Sequence, residues 1–453
     1  MFRLIADRPL VARKGTNPIS SPKSTECAPI AEAASNCNTV IHVCHLAKYY
    51  PPATGGIETH VRTLARRQSE LGARVTVVCV NHADAAGVGV LEQAGRATPA
   101  TEELDAGIRV IRVARRFALS KWDCSPGLAR RLRRLSSEPA PVDVFHLHTP
   151  NPTMTLAMLA AGTKQPLVVT HHSDVVKQAV TGRMLEWLER RLMKRAAAIL
   201  ATSPNYIGGS RVLQAAGSKA EVLPLGISLP ALTNPSPAAV AARDRLRSQY
   251  PGPLWLSVGR LVYYKGIDIA LDALQHVPGR LLIIGEGPLR EELQLRAKAL
   301  GVADRVVWLG RVDDDDLVGA YYAATAFWFP SVARSEAFGL VQVEAMATGC
   351  PVINTDIAFS GVPWVCPHDV AGLTIPVGDS KALAAAARKL LDEPQLRSRL
   401  AASGVRRAKE HFDADQLGLR SLELYSRVAK VPTIVTEKDA PPFASPLMVH
   451  TPQ

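Results

Sequence analysis

The 453-residue sequence has no apolar run approaching the roughly 18 residues that a membrane-crossing helix needs. Its first 38 residues lack the continuous apolar stretch of a secretory leader, because Asp7, Arg8, Arg13 and Lys14 interrupt it. Cysteine is scarce: 7 residues, an odd number, widely scattered, with no CxxC and no metal-ligand spacing. That argues against a disulfide framework or a zinc cluster and for free thiols in a reducing cytoplasm. Aromatic residues make up only 5% of the chain, and no nucleic-acid-binding motif is present. The formal charge of +12 therefore does not point to nucleic acid. Anionic small molecules and an anionic membrane surface remain as partners for it.

What is present is alternation. Short β-branched runs at 39–46, 74–80, 143–147, 167–170, 198–202 and 220–223 read as strands, with a helix at 58–71. A proline-rich stretch at 230–237 reads as a linker. The alternation restarts with strands at 254–258, 280–284, 306–309, 326–329 and 351–354. Helices at 268–274, 289–299, 314–323 and 338–348 separate them. The class is α/β: two doubly wound, Rossmann-like parallel-sheet domains facing across a cleft. The expected division is a flexible extension at 1–38, a first domain at 39–229 and a second at 230–410. A C-terminal helix at 411–430 returns to the first domain, and a disordered proline-rich tail covers 431–453. In such sheets ligands sit beyond the carboxyl ends of the strands, so function is sought in strand-to-helix loops.

The sharpest constellation is Ser335-Glu336-Ala337-Phe338-Gly339-Leu340, with Glu344 further along the same predicted helix. Gly339 keeps the helix start open, and free backbone N–H groups there make an anion site suited to a diphosphate. A loop carboxylate can accept hydrogen bonds from sugar hydroxyls, and one on the helix can bridge a vicinal diol such as a ribose. The bland alternative is an early acidic residue and a surface glutamate. Arg260 and Lys265, in one loop between Gly259 and Gly266, can clamp phosphate oxygens or be two solvated cations. Gly55 and Gly56 let the first strand-to-helix loop approach a ligand, or form a plain turn. In Thr170-His171-His172-Ser173-Asp174 the adjacent histidines point different ways and make a poor metal pair. One of them could hydrogen-bond a sugar hydroxyl or a leaving phosphate, or be structural. His146 and His148 read as structural. Gly285-Glu286-Gly287 lacks the third glycine of a dinucleotide fingerprint, since Arg290 stands there. The run Asp313-Asp314-Asp315-Asp316 reads as a helix N-cap rather than a metal site. The leucines of 128–135, with arginines between them, suit either a helix lying on an anionic membrane or one covering the first domain.

Together these residues resemble the retaining GT-B glycosyltransferases of family GT4, over about Val40 to Val428. The match is dense from Val306 to Gly378, and the Glu-x7-Glu pair at Glu336 and Glu344 is specific. The resemblance implies that Gly55 and Gly56 line the donor diphosphate and that Arg260 and Lys265 neutralise it. Glu336, with the backbone of Ala337, Phe338, Gly339 and Leu340, would hold the donor sugar and phosphates. Glu344 would hold the ribose, Val312 would contact the base, and His172 would stand beside the sugar. The segment His172-Ser173-Asp174-Val175-Val176-Lys177-Gln178 looks like bacterial polysaccharide and O-antigen enzymes, many using GDP-mannose. It implies an α-mannosyl transfer to a glycan or lipid-linked acceptor. The donor is then a substrate, GDP-mannose or a UDP-sugar, with no cofactor and no metal. The enzyme would be cytoplasmic, with peripheral contact to the inner membrane face. The N-terminal extension and the proline-rich tail depart from the family pattern without touching these motifs.

Overall fold

The structure is a computed structural model that describes residues 40–53, 55–82, 97–119, 122–174 and 182–432. The extension at 1–38, nearly all of the 431–453 tail, and Val175, Val176, Lys177 and Gln178 lie outside the described residues.

Sixteen strands are described: β1 (His42–Leu46), β2 (Arg74–Val80), β3 (Thr101–Asp105), β4 (Ile108–Val113), β5 (Phe117–Leu119), β6 (Trp122–Cys124), β7 (Val144–Thr149), β8 (Leu167–His171), β9 (Ala198–Ala201), β10 (Ala220–Val222), β11 (Leu254–Val258), β12 (Arg280–Ile284), β13 (Val306–Gly310), β14 (Ala326–Phe329), β15 (Val352–Thr355) and β16 (Gly372–Ile375). Eight of them form one sheet in the order β10-β9-β8-β7-β1-β2-β4-β3, and six form a second in the order β13-β12-β11-β14-β15-β16. Every pairing in both is parallel except β3, which runs antiparallel to β4 at the edge. The inner strands are buried on both faces, as helices on both sides of a sheet require; most are apolar, while β1 and its neighbour β7 carry two histidines each. In the first sheet the chain starts at β1, builds outward through β2, then returns to β7 on the other side of β1. In the second it does the same from β11 to β14. These reversals leave a crevice beyond the strand ends between β1 and β7 and another between β11 and β14, where doubly wound sheets bind ligands.

Two segments cross between the sheets side by side. Ile227 N–H donates to Phe412 O at 2.9 Å, and Ala414 N–H to Ile227 O at 3.0 Å. The proline-rich stretch after the first crossing is not open chain. Pro230–Thr233 closes a helical turn with Leu229 and Leu232 buried in the second core, and Ser236 caps the next helix through Ala239 N–H. Proline suits the first helical position at both starts, because the N–H it lacks has no helical partner there. The last described helix, Ala414–Ala429, packs against helix Gly56–Glu70 and joins the first core through Leu417, Leu422, Leu424 and Tyr425.

The 128–135 segment is a helix, but the first domain takes up its apolar face. Leu128, Leu132 and Leu135 are buried in the core beside Phe145 and Leu147, so no leucine face is left to lie on a membrane. Two of its arginines pair locally. Arg131 donates to Glu102 at 2.7 Å, and Arg133 to Ala161 O at 3.2 Å, satisfying a carbonyl at the end of helix Pro152–Ala161. Among the described residues no helix is long and apolar enough to cross a membrane. Leu132→Ala is therefore expected to lower the stability of the whole protein by about 2–5 kcal/mol, read from the denaturant midpoint. A midpoint within error of the parent would mean that the helix is not anchored in the core.

Candidate active site

The loop after β11 is shaped by three glycines. Gly259 and Gly266 have φ of 143° and 64°. A Cβ on Gly266 would sit 1.9 Å from Pro330 O, so only glycine lets this loop close onto the one after β14. A Cβ on Gly285, from the β12 side, would meet Gly259 O at 2.1 Å. The closure brings together residues 71 positions apart: Lys265 Nζ lies 2.5 Å from Glu336 Oε2, with both side chains largely buried. The Ser331 hydroxyl donates to the same carboxylate oxygen at 3.3 Å. Lys265 also lies 5.0 Å from the centroid of the Phe329 ring, which walls the pair from below. Arg260, in the same loop, is exposed.

Behind Glu336 the chain makes the open helix start expected from its glycine. Gly339 has φ of 79° and precedes helix Leu340–Ala347 with no side chain capping it. A Cβ there would press into the Phe329 ring at 2.6 Å, so the glycine is required by space as well as by conformation. Ala337 is tied down through its carbonyl, which accepts from Gly361 N–H, and Phe338 is buried in the core. Glu344 is half-buried and accepts a hydrogen bond from Tyr321 at 2.9 Å. Burial raises its carboxyl above the usual range against the pull of that bond. Val312 packs at the edge of the same core, just after Gly310. The aspartate run caps its helix. Asp313 accepts from Asp316 N–H at 2.8 Å, while Asp315 and Asp316 bind Ser236 and Arg245.

On the first sheet, Gly55 is the extended residue before helix Gly56–Glu70, and a Cβ on it would collide with the Glu58 carboxylate at 2.2 Å. Burial raises the Glu58 carboxyl, and the positive charges of Lys48 and Arg260 oppose that. Arg260 thus acts on the first sheet's loop from the second. His172 follows β8 and is buried. His171 points elsewhere, to Asp174 at 2.8 Å. His146 and His148 are not isolated core rings. With His45, His60 and His172 they form a cluster of five buried imidazoles at the β1–β7 reversal. Strand alternation accounts for it. His45 and His146 are paired across β1 and β7, and His148 and Thr170 across β7 and β8, so these rings and the His172 that follows β8 project from one face, and helix Gly56–Glu70 adds His60 to them. Burial holds His45 down to about 4 and His60 to about 3, and holds His146, His148 and His172 well below the ordinary imidazole value.

Arg334 was not singled out by its sequence context, yet it joins the two sheets. It pairs with Asp174 at 3.0 Å, lies 4.4 Å from the centroid of the Tyr206 ring, and donates to Phe359 O. Burial works to raise the Asp174 carboxyl, but hydrogen bonds from His171 and Ser210 hold it below its usual range. Beside them an open cavity of about 460 Å³ is lined by Thr149, Asn151, Asp174, Glu189, Arg211 and Arg334. The only sequence signal for Arg334 is its place just before Ser335, in the loop already chosen for Glu336.

The arrangement suits an anionic, hydroxyl-rich ligand. It offers an open helix N-terminus, a lysine–glutamate pair beneath it, an exposed arginine and a neutral histidine cluster opposite. Residues 54–229 match the model of "Glycosyltransferase Family 4", and residues 241–407 that of "Glycosyl transferases group 1". The D-rhamnosyltransferase WbpZ of Pseudomonas aeruginosa is 34% identical over 296 residues, 65% of this chain and 76% of that enzyme. O-antigen chain mannosyltransferase C of Escherichia coli is 29% identical over 387 residues, 85% of this chain and 98% of that enzyme. Among solved structures, sucrose-phosphate synthase from Thermosynechococcus elongatus superposes with a TM-score of 0.69 at 22% identity, covering 86% of this chain and 99% of that one.

Proposed function

The chain belongs to the group 1 glycosyl transferases of family GT4, with the GT-B fold, and from that premise we propose that it moves a mannosyl group from GDP-mannose, with retention of configuration, onto a glycan or lipid-linked glycan of a cell-surface polysaccharide. The chemistry of the two named relatives supports the sugar. D-rhamnose is 6-deoxymannose, so the mannosyl and D-rhamnosyl enzymes both handle a manno-configured ring with an axial 2-hydroxyl.

The single observation that carries the mechanism is the Lys265–Glu336 pair under the uncapped helix start at Gly339. Glu336 accepts hydrogen bonds from hydroxyls of the donor sugar. The ammonium of Lys265 spans from that carboxylate to the diphosphate, which also receives the backbone N–H groups at Ala337–Leu340. Glu344 holds the ribose, Val312 borders the base, and Gly55 and Gly56 admit the diphosphate from the first domain. As the anomeric C–O bond breaks, its electron pair passes to the diphosphate oxygen. Lys265, Arg260 and the helix start stabilise that charge. The acceptor oxygen bonds to the anomeric carbon on the face just vacated, and its proton passes to a diphosphate oxygen. No step needs a metal.

A thermal-shift panel tests the donor. GDP-mannose should raise the melting temperature of the parent, since a ligand bound only by the native state stabilises it, and should not raise that of Glu344→Ala. A larger shift with UDP-glucose or UDP-N-acetylglucosamine would overturn the choice of base and leave the sugar-transfer reading standing.

A further inference from the structure

The histidine cluster is wired in one direction. Helix Ala414–Ala429 supplies the starting point: the Ser421 hydroxyl donates its only proton to Gly418 O at 2.7 Å. Its oxygen must then accept, and it does so from Gln68 Nε2 at 2.7 Å. That fixes the Gln68 amide with Oε1 toward His45 Nε2, 2.7 Å away. A carbonyl oxygen only accepts, so His45 carries its proton on Nε2 and offers a lone pair at Nδ1. His148 Nε2 lies 3.1 Å from that lone pair and must donate to it. His148 Nδ1 is then the acceptor for His172 Nε2, again at 3.1 Å. A side branch agrees. The other Gln68 amide proton points to the Tyr425 oxygen at 3.2 Å, and the Tyr425 hydroxyl donates to His146 Nδ1 at 2.6 Å. His146 Nε2–H then donates to Thr170 Oγ1 at 2.7 Å.

We propose that Gln68, His45 and His148 are positioning residues that lock His172 in the Nε2–H tautomer and leave an unprotonated Nδ1 for a ligand. Among the described residues no hydrogen bond reaches His172 Nδ1, while Nε2 is held by His148. The wiring requires every ring to be neutral, and burial keeps them so. Ligand atoms of His45, His146 and His148 also lie within 4.8 Å of one another, close enough to suggest a metal site. All six of their ring nitrogens, however, already have hydrogen-bond partners. The consequence for chemistry rests on the sugar-transfer reading. A bare Nδ1 accepts a hydrogen bond from a sugar hydroxyl and has no proton to give to a departing phosphate. His172 therefore serves the sugar and not the leaving group.

Ring-¹⁵N histidine spectra of the full chain at neutral pH test the wiring without a substrate, with the His172 signal assigned by its loss in His172→Asn. The parent is expected to show His172 protonated at Nε2 alone. His148→Gln can still donate to His45 and accept from His172, and should keep that tautomer. Gln68→Leu touches His172 nowhere and should let the Nδ1–H form appear, as should His148→Leu. Donor KM should rise about tenfold in the two leucine variants and stay near the parent's in His148→Gln, the size expected for one hydrogen bond. An unchanged His172 tautomer in both leucine variants would overturn the proposal, and so would ring shifts in the parent that follow addition of zinc and reverse with chelator. If no sugar transfer is found with any donor, the spectra still decide the wiring.

Discussion

Lys265→Met is expected to lower the rate of nucleoside diphosphate release from the donor about a hundredfold, corresponding to roughly 3 kcal/mol of lost charge stabilisation. Glu336→Gln should be similarly severe, because each partner leaves the other buried without its counter-charge. The double variant should then lose much less than the product of the single losses, since the second change removes a charge already stranded. Arg260→Ala should be milder than Lys265→Met, because Arg260 is exposed and water replaces part of its contribution. Chelation by EDTA should leave the parent's rate nearly intact. Multiplicative losses in the double variant would break the pairing. Silencing by EDTA and rescue by a divalent ion would turn attention to the aspartates at 313–316 as metal ligands.

Acid should unfold this protein early. Five buried rings, His45, His60, His146, His148 and His172, have folded values pushed below the ordinary 6.5 by burial. Above 6.5 both folded and unfolded chains carry them neutral, so their contribution to stability is fully present. As pH falls below 6.5 the unfolded chain takes up protons that the folded chain refuses. The loss continues until the folded values are reached, about 4 for His45 and about 3 for His60. Each ring loses about 1.4 kcal/mol per pH unit in that window, so five lose about 7 kcal/mol near pH 5.5. That is comparable to the whole stability of an ordinary domain. Melting temperature followed from pH 7.5 to 5 should drop steeply, and less steeply in His60→Phe, which removes one titrating ring. A flat profile to pH 5.5 would mean that the cluster is protonated in the fold.

Much of the frame was legible because its elements are specified locally. Arg74–Val80, Leu254–Val258, Arg280–Ile284 and Ala326–Phe329 stand where their β-branched or aromatic runs place them, and helix Asp314–Ala323 begins where its aspartate cap does. Strand β3 carries Thr-Glu-Glu-Leu-Asp, which has no apolar alternation; it is a strand only because β4 offers it an edge. The 128–135 helix shows the same limit from the other side. Its leucine spacing defines an apolar face but not what that face meets. In the site, Lys265 and Glu336 each stood out by their loops, while the bond between them depends on glycines that let two loops touch. His45, His60, Gln68 and Tyr425 gave no signal. Each is ordinary in its own strand or helix, and Gln68 and Tyr425 meet across 357 positions.

The return of helix Ala414–Ala429 to the first sheet sets a timetable for synthesis. Strand β10 completes that sheet at Val222, but Leu417, Leu422 and Tyr425 are missing from its core until the helix arrives. At about 5–20 residues per second the intervening chain of roughly 190 residues takes about 10–40 s to emerge. Through that interval the face carrying His45, His146 and Gln68 lies open on the ribosome while the second sheet is made and folded. The first domain to be translated is thus the last to be finished, and a nascent chain stalled before residue 414 presents an apolar, histidine-lined surface for a chaperone to cover.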